Sequence, residues 1–271
     1  MYHPNDTMTI INIIRLNIMK TKNNLFKLAL SILFIGILFA SCKKDDSNED
    51  ASNENGIYLK SINQGNTQVV GFAYDANNKL TEQTRNFGGN QVLITYTYAN
   101  GKITGEIAKQ NNSTIWQYIY GYNNNGNLTR CDIGGATNTY WTFHYTNGKI
   151  DKAIEVISGE DAKKQTFTYN GDNIIEAKEF SRFGNTWELQ KRYTFECDTK
   201  NNPYKLFKIP YNENLNELAL LLNENNITVE KKYDGSGVLL ETIQYNYIYN
   251  AKNYPKTVQM GSDSFSYLYK N

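Results

Sequence analysis

The sequence is poor in cysteine and histidine, nearly balanced in charge, and without a long apolar run. Its 28 Lys+Arg stand against 27 Asp+Glu for a net charge of +1, so there is no basic excess for a nucleic acid or other polyanion to hold. It has two histidines, one of them His3 at the amino end, too few for a multi-histidine zinc site. No stretch reaches the ~20 apolar residues of a transmembrane helix. There is no phosphate-cradling glycine loop and no nucleophile elbow. What the 271 residues do contain is 21 Tyr, 12 Phe, 38 Asn and 19 Gly. Tyrosine in excess over leucine and alanine argues against a helical bundle, and the Asn and Gly surplus argues for strands joined by tight turns. A chain of this length can bury a core.

The amino terminus reads as a targeting segment. Lys20, Lys22 and Lys27 precede an uncharged apolar run, Leu28 to Ala40, which at thirteen residues has the length of a signal-peptide core. Met19 opens a signal of ordinary length, with residues 1–18 upstream of it. Leu38-Phe39-Ala40-Ser41-Cys42 resembles a bacterial lipobox, with Phe39 in place of the usual leucine. The resemblance implies that Cys42 is acylated (palmitate or a similar chain) and becomes the first mature residue; the plain alternative is a signal peptide with an incidental cysteine. Lys43-Lys44-Asp45-Asp46 resembles the signal that sends Bacteroidetes lipoproteins to the outer face of the outer membrane, and is otherwise an ordinary solvated charge run.

From Lys43 to Gly56 the only apolar residue is Ala51, so this stretch reads as a flexible tether. The expected organisation is therefore a signal peptide over 1–41, a lipidated tether over 42–56 and one repeat domain over 57–271. Removing residues 1–41 leaves 24 basic against 26 acidic residues, a charge of −2. Attachment would then rest on acyl chains, each buried methylene contributing ~0.8 kcal/mol, with more than one chain needed for a durable anchor.

The body repeats. An aromatic-x-aromatic pair recurs at Phe72/Tyr74, Tyr96/Tyr98, Tyr120/Tyr122, Phe143/Tyr145, Phe167/Tyr169 and Tyr193/Phe195, in steps of 24, 24, 23, 24 and 26 residues, and again at Tyr247/Tyr249 and Tyr267/Tyr269. A spacing of two puts both rings on one face of a strand, and a period of this size marks a repeat architecture. After each pair come a turn and an aliphatic residue: Asn100-Gly101 then Ile103, Asn125-Gly126 then Leu128, Asn147-Gly148 then Ile150, Asn170-Gly171 then Ile174, Asp234-Gly235 then Val238. Asn-Gly and Asp-Gly supply the positive φ angles of type I′ hairpins. A second turn, expected to be looser, follows at Gly88-Gly89-Asn90, Asn111-Asn112-Ser113, Gly134-Gly135, Ser158-Gly159 and Gly184-Asn185.

Each repeat is thus two strands. A lone repeat cannot offset its backbone entropy of about 1–2 kcal/mol per residue, so the aromatics are expected to stack into a shared core ladder. The other reading is an exposed tyrosine stripe that grips carbohydrate. The expected fold is all-β: an extended antiparallel meander forming a coiled or rolled sheet of about sixteen strands. The runner-up is a four-bladed β-propeller, against which the near-identity of the repeat frames counts. Residues 214–223, rich in leucine, read as one short helix closing a face or end of the sheet, or else as a buried strand.

Ala73-Tyr74-Asp75-Ala76-Asn77-Asn78-Lys79-Leu80-Thr81, Tyr98-Ala99-Asn100-Gly101-Lys102-Ile103-Thr104 and Tyr122-Asn123-Asn124-Asn125-Gly126-Asn127-Leu128-Thr129 resemble the tyrosine-aspartate repeats of the RHS and teneurin type. Only Tyr74-Asp75 and Tyr233-Asp234 keep the literal pair. The whole layout, with Asn202-Pro203, Asn225-Asn226-Ile227-Thr228 and the closing Tyr247 to Pro255, is similar to small Bacteroidetes surface lipoproteins, a family without an assigned activity. In large RHS proteins such repeats enclose a toxic cargo; here the chain ends at Asn271 after a repeat-like strand, and no cargo domain is expected.

Catalytic residues are sparse. His144 should point away from Phe143 and Tyr145 and serve as a surface residue. Asp132, Glu155, Glu176, Glu179 and Glu188 are the carboxylates that a glycosidase would pair across strands, with solvent-face charge as the default. Asn-rich turns such as Asn123-Asn124-Asn125 have too few carboxylates for a calcium loop. Cys131 and Cys197 sit three repeats apart and are expected to be separate thiols. The functional expectation is a non-enzymatic binding module for a glycan or an envelope protein, without metal or cofactor, attached to the membrane through Cys42. Which aromatics touch a ligand, and the oligomeric state, stay open. The alternatives are an envelope glycoside hydrolase and a purely structural envelope component.

Overall fold

The computed structural model of the protein describes residues 57–87, 89–136 and 138–270. The signal segment and the tether, Cys42 included, lie outside the described residues. Seventeen strands form one antiparallel sheet. In chain order they begin β1 (Tyr58–Gln64), β2 (Thr67–Tyr74), β3 (Leu80–Phe87), β4 (Asn90–Ala99), β5 (Lys102–Gln110) and β6 (Ser113–Tyr122). There follow β7 (Leu128–Ile133), β8 (Thr139–Thr146), β9 (Lys149–Ile157), β10 (Glu160–Asn170), β11 (Asn173–Phe183) and β12 (Thr186–Asn201). The last five are β13 (Asn225–Asp234), β14 (Leu239–Gln244), β15 (Asn246–Tyr249), β16 (Pro255–Met260) and β17 (Asp263–Lys270).

Consecutive strands pair throughout, except that β14 and β15 are successive parts of one reach interrupted at Tyr245. The first part pairs with β13, the second with β16. β1 pairs with both β2 and β17, through Leu59↔Tyr269 and Ile62↔Tyr267 on the latter side. The sheet is therefore rolled up and nearly closed, barrel-like, with its gap along the β14–β15 reach. All strands belong to this one sheet, so the separate blades of the runner-up propeller are not formed. Because β14 and β15 make a single pass, the number of passes agrees with two strands per repeat.

The turns correct the sequence reading in both directions. Asn100-Gly101 and Asn147-Gly148 are central pairs with φ of 51° and 76°, as type I′ requires. Asn111-Asn112 (51°, 65°) and Ser158-Gly159 (53°, 90°), at the opposite rim, are equally tight rather than loose. At Asn125-Gly126 and Asp234-Gly235 the expected I′ pair is replaced by a wider loop. The side chain of Asn123 accepts from the Asn127 N–H at 3.0 Å and that of Asp234 from the Val238 N–H at 2.9 Å, leaving only Gly126 and Gly237 with positive φ. A short side-chain acceptor that captures the backbone four residues on outcompetes the two-residue turn.

The aromatic pairs are a core ladder. The first member of each repeat pair (Phe72, Tyr96, Tyr120, Phe143, Phe167, Tyr193) is buried. In the first five pairs the second is a half-buried tyrosine, and its hydroxyl donates to the backbone carbonyl of the preceding aliphatic residue. Tyr74 reaches Leu59 (2.7 Å), Tyr98 Leu80 (2.7 Å), Tyr122 Ile103 (2.6 Å), Tyr145 Leu128 (3.1 Å) and Tyr169 Ile150 (3.0 Å). The lysine preceding the aliphatic residue lies over the next tyrosine ring, as Lys102 does over Tyr122 at 5.0 Å. Phe195 has no hydroxyl, and at that rung Asn223 serves instead. Its Oδ1 accepts from the Ile174 N–H at 2.6 Å and its Nδ2 donates to the Ile174 carbonyl at 3.4 Å.

Asn223 belongs to an insertion between β12 and β13 that the repeat does not contain. A 3-10 turn, Pro203–Phe207, is capped by Asn202, which accepts from the Tyr204 N–H at 3.0 Å. An α-helix follows, α1 (Leu215–Leu222), where the sequence placed one. The helix does not close an edge. The insertion turns into the roll and packs on the ladder: Phe207 lies 4.5 Å from Phe72 and Tyr211 lies 4.7 Å from Phe143, ring centre to ring centre. Tyr204, Phe207, Tyr211, Leu215, Leu218 and Leu220 are all buried. A rolled sheet this wide leaves a lumen that wall side chains alone do not fill, and this segment is its plug.

Candidate functional site

The polar residues of the interior come from a fixed place in the repeat. The register shifts between each half-buried tyrosine and the residue before it, and the extra residue lies on the next strand directly after the aliphatic one. Beyond the aliphatic residue, the inward positions are therefore three and five residues on. They hold Gln83 and Arg85, Glu106 and Ala108, Cys131 and Ile133, Ala153 and Glu155, Ala177 and Glu179. Where these are polar they face the plug. Gln83, Arg85, Tyr96, Glu106, Asn212 and Glu217 line a small cavity between wall and plug.

Within it Arg85 lies 3.6 Å from Glu217, and the Tyr96 hydroxyl donates to Gln83 at 3.1 Å. Trp116 Nε1 donates to Glu106 at 2.8 Å and the Tyr120 hydroxyl at 3.3 Å. Burial raises the Glu106 pKa above the ordinary carboxylate value, against the opposing pull of the Trp116 bond and Arg85. A carboxylate whose pKa is raised by folding destabilises the native state once it ionises. The cost is absent below the unfolded-state pKa and grows as pH rises through the folded one. Glu106→Gln keeps an acceptor for Trp116 and is expected to be the more stable protein at neutral pH. Its advantage should shrink toward acid, as read from thermal midpoints across a pH series.

Of the carboxylates singled out in the sequence, the structure brings Glu155 and Glu179 together, both beside Lys163, and leaves Asp132, Glu176 and Glu188 elsewhere. Asp132 is on the outer wall, bonded by Arg130 at 2.6 Å. Glu176 forms ion pairs with Lys178 (2.5 Å) and Arg192 (3.0 Å), and Glu188 is exposed at the rim. Glu155 and Glu179 do face inward, on strands flanking β10. Glu155 is paired with Lys163 at 3.2 Å, and Glu179 with Lys191 at 3.3 Å. Burial raises the Glu155 pKa, with Lys163 opposing. His144 is exposed, as its strand position implied. Cys131, buried, and Cys197, half-buried, are free thiols. Among the described residues no group of His, Cys, Asp and Glu has the arrangement of a metal site.

The fate of the aromatics is clear-cut. Among the described residues every tyrosine and tryptophan is buried or half-buried, and Phe183 is 56% exposed. Exposed aliphatics gather near it, at the rim away from the tyrosine ladder: Ile157 at one hairpin tip and Val238, Leu239 and Leu240 at another. Along the strands the outer wall is mixed: Glu82, Thr97, Lys109, Thr129, Arg130 and His144 are exposed on β3 to β8, beside exposed Ile115 and Ile119 on β6, and Ile248 and Leu268 are exposed on β15 and β17. A strand wall facing lipid needs an apolar band ~25 Å tall, and an outward Lys or Arg at mid-depth costs ~2–4 kcal/mol. Arg130, bonded to Asp132, is an outward charge of this kind on β7.

No protein-family model matches the sequence, and no curated protein matches it. Among solved structures the chain is similar to a porin-like protein from Bacteroides uniformis ATCC 8492. The identity is 15% and the TM-score 0.47, over 79% of this chain and 95% of that one. It is also similar to a porin-like protein from Bacteroides vulgatus ATCC 8482, at 11% identity and TM-score 0.41 over 79% and 99% of the two chains. A likeness to the TcdB2-TccC3-Cdc42 structure has 11% identity and a TM-score of 0.28, covering 74% of this chain and 14% of that one.

Proposed function

We propose that the chain is a lipid-anchored module displayed on the outside of the outer membrane, which binds an envelope protein or a glycan and performs no catalysis. The observation that carries this reading is the placement of the domain's two ends. Leu59, near its start, pairs with Tyr269, near its finish, at the tyrosine-ladder rim. A tether running from Cys42 would enter the roll there and direct the opposite rim away from the membrane. The filled lumen leaves outer surfaces and rims for binding. Sugar recognition uses exposed aromatic faces, and here the described tyrosines and tryptophans are all buried or half-buried, which favours the protein ligand over the glycan. The one inward pair of those carboxylates, Glu155 and Glu179, is held in ion pairs with Lys163 and Lys191 beneath a filled lumen, which favours binding over glycoside hydrolysis.

Fatty-acid labelling of wild type and Cys42→Ala, combined with protease shaving of intact cells, tests the reading. Wild type should take up label and be cleaved on intact cells, and Cys42→Ala should lose the label. Unchanged labelling of the variant would remove Cys42 as the anchor, and full protection from protease would remove surface display.

A further inference from the structure

The near-zero net charge conceals a polarity along the axis of the roll. At the tyrosine-ladder rim, the turns, the strand residues directly flanking them, the two ends of the domain and the exposed residues of the insertion hold seven lysines among the described residues. Against these stand three carboxylates, Asp75, Asp172 and Glu224. The described turns of the far rim, with their flanking residues, hold Glu160, Asp234 and Asp263 and no lysine or arginine.

The fold sets the lysines at one level. Lys79, Lys102 and Lys149 occupy a single repeat position, directly before the aliphatic residue. Their ammonium groups lie 5.6, 5.0 and 5.4 Å from the ring centres of Tyr98, Tyr122 and Tyr169. Lys252 stands in the turn between β15 and β16, and Lys270 ends β17; both are exposed. Lys205 and Lys208, on the 3-10 turn and at its end, are exposed on either side of Leu206, itself 36% exposed. Lys149 and, more weakly, Lys205 hold the Asp172 carboxyl below its ordinary pKa, which puts Lys205 at the same rim. Two of the carboxylates are paired, Asp172 with Lys149 at 2.9 Å and Glu224 with Lys205. Asp75 caps its own turn, accepting from the Lys79 N–H at 2.9 Å. The rim keeps a cationic surplus.

We infer that the tyrosine-ladder rim docks flat on a layer of anionic lipid headgroups. Shape and charge together select this occupant. At ~4.8 Å per strand the mouth is roughly 25 Å across, and the lysines are spread around it, so one phosphate or a short acidic peptide reaches only a few of them. A planar anionic sheet meets them all. The acidic stretch from Asp45 to Glu54 leaves from one point of the rim, and docking it there would order its backbone at a cost that exposed ion pairs do not return. The rim lysines are already placed by the ladder, and each gains from the field of an anionic surface within about a Debye length. Leu206, between two lysines, is set to enter the headgroup boundary. The carboxylates of the far rim are repelled by the same surface, so one orientation is favoured. This deepens the anchored reading and rests on it for what brings the rim to a membrane; the contact itself needs no acyl chain.

The test therefore uses the unacylated mature chain, residues 42–271 with Cys42→Ser. It should co-sediment with phosphatidylglycerol–phosphatidylcholine vesicles at low ionic strength, not with phosphatidylcholine alone, and should be released by salt. Lys252→Gln with Lys270→Gln should weaken the binding at least ~tenfold, at about a lysine's surface attraction each. Lys109→Glu, near the far rim, changes the net charge equally and should weaken it less than ~twofold. With Cys197→Ser, a polarity-sensitive dye on Leu206→Cys should shift to the blue on the anionic vesicles, and one on Phe183→Cys should not. Absence of binding to the anionic vesicles overturns the inference, as does equal loss in the Lys109 variant or a shift at residue 183. Soluble polyphosphate binding as tightly as the vesicles at equal phosphate would also overturn it, in favour of a dissolved polyanion. Loss of acylation at Cys42 would remove the anchor and leave these results standing.

Discussion

Replacing Asn202–Glu224 with a two-residue Asn-Gly turn leaves the chain without a cooperative unfolding transition. The exchange is geometrically mild, because Asn201 and Asn225 are already ladder partners and a tight turn can join them. What it removes is the other half of the core. Burying one large apolar side chain fully contributes about 1.5–3 kcal/mol, and a domain's whole stability is about 5–15 kcal/mol. The plug supplies Tyr204, Phe207, Ile209, Tyr211, Leu215, Leu218 and Leu220, all buried. Phe72, Trp141 and Phe143 would then face an empty lumen. The expected product keeps strand circular dichroism but binds a hydrophobic dye and melts without a transition. A sharp transition near the wild-type midpoint would show that the ladder holds the roll by itself.

Tyr211→Ala is the largest effect expected of a single side chain. The ring is 2% exposed, with centres 5.6 Å from Trp141 and 4.7 Å from Phe143. Its hydroxyl donates to Gln165 Oε1 at 2.8 Å, and Gln165 is itself fully buried. Truncating a buried aromatic costs ~3–5 kcal/mol, and stranding a buried polar partner adds ~1–3 kcal/mol. At ~2–4 °C per kcal/mol for a domain of this size, the melting midpoint should fall by at least ~10 °C. Tyr211→Phe separates the two contributions. It should cost only the hydroxyl's share, so a phenylalanine variant as unstable as the alanine one would mean that the bond to Gln165, and not ring packing, dominates.

The sequence made the wall legible but not the filling. Tyr98, Tyr122 and their equivalents announce themselves through a period of about 24 residues, because every repeat solves the same local problem with the same residues. Asn214 to Asn223 was legible as a helix by its leucines, yet its position inside the roll depends on contacts such as Tyr211 with Trp141, 70 residues apart in the sequence and without a periodic signal. The inward polar positions escaped for a related reason. Gln83, Glu106, Cys131, Ala153 and Ala177 occupy one repeat position but range from amide and carboxyl to thiol and methyl, since they answer to different parts of an asymmetric plug. Phe195 was the available clue: the one rung where the second aromatic lacks a hydroxyl is the rung where Asn223 takes its place. Nor do the residues of β14 and β15 reveal that the one pairs with β13 and the other with β16.

The account rests on a wall and a plug that fold as one body, with binding left to the outside. Native-state hydrogen exchange measures this directly, by comparing the α1 amides with those of wall strands β5 and β10. If the plug is integral, amides such as Leu218, bonded to the Asn214 carbonyl at 2.9 Å, exchange only through global unfolding and share the slowest wall rates. Exchange of the α1 amides orders of magnitude faster than the wall would mean that the plug leaves while the roll persists. The lumen would then be an accessible cavity, contradicting the account.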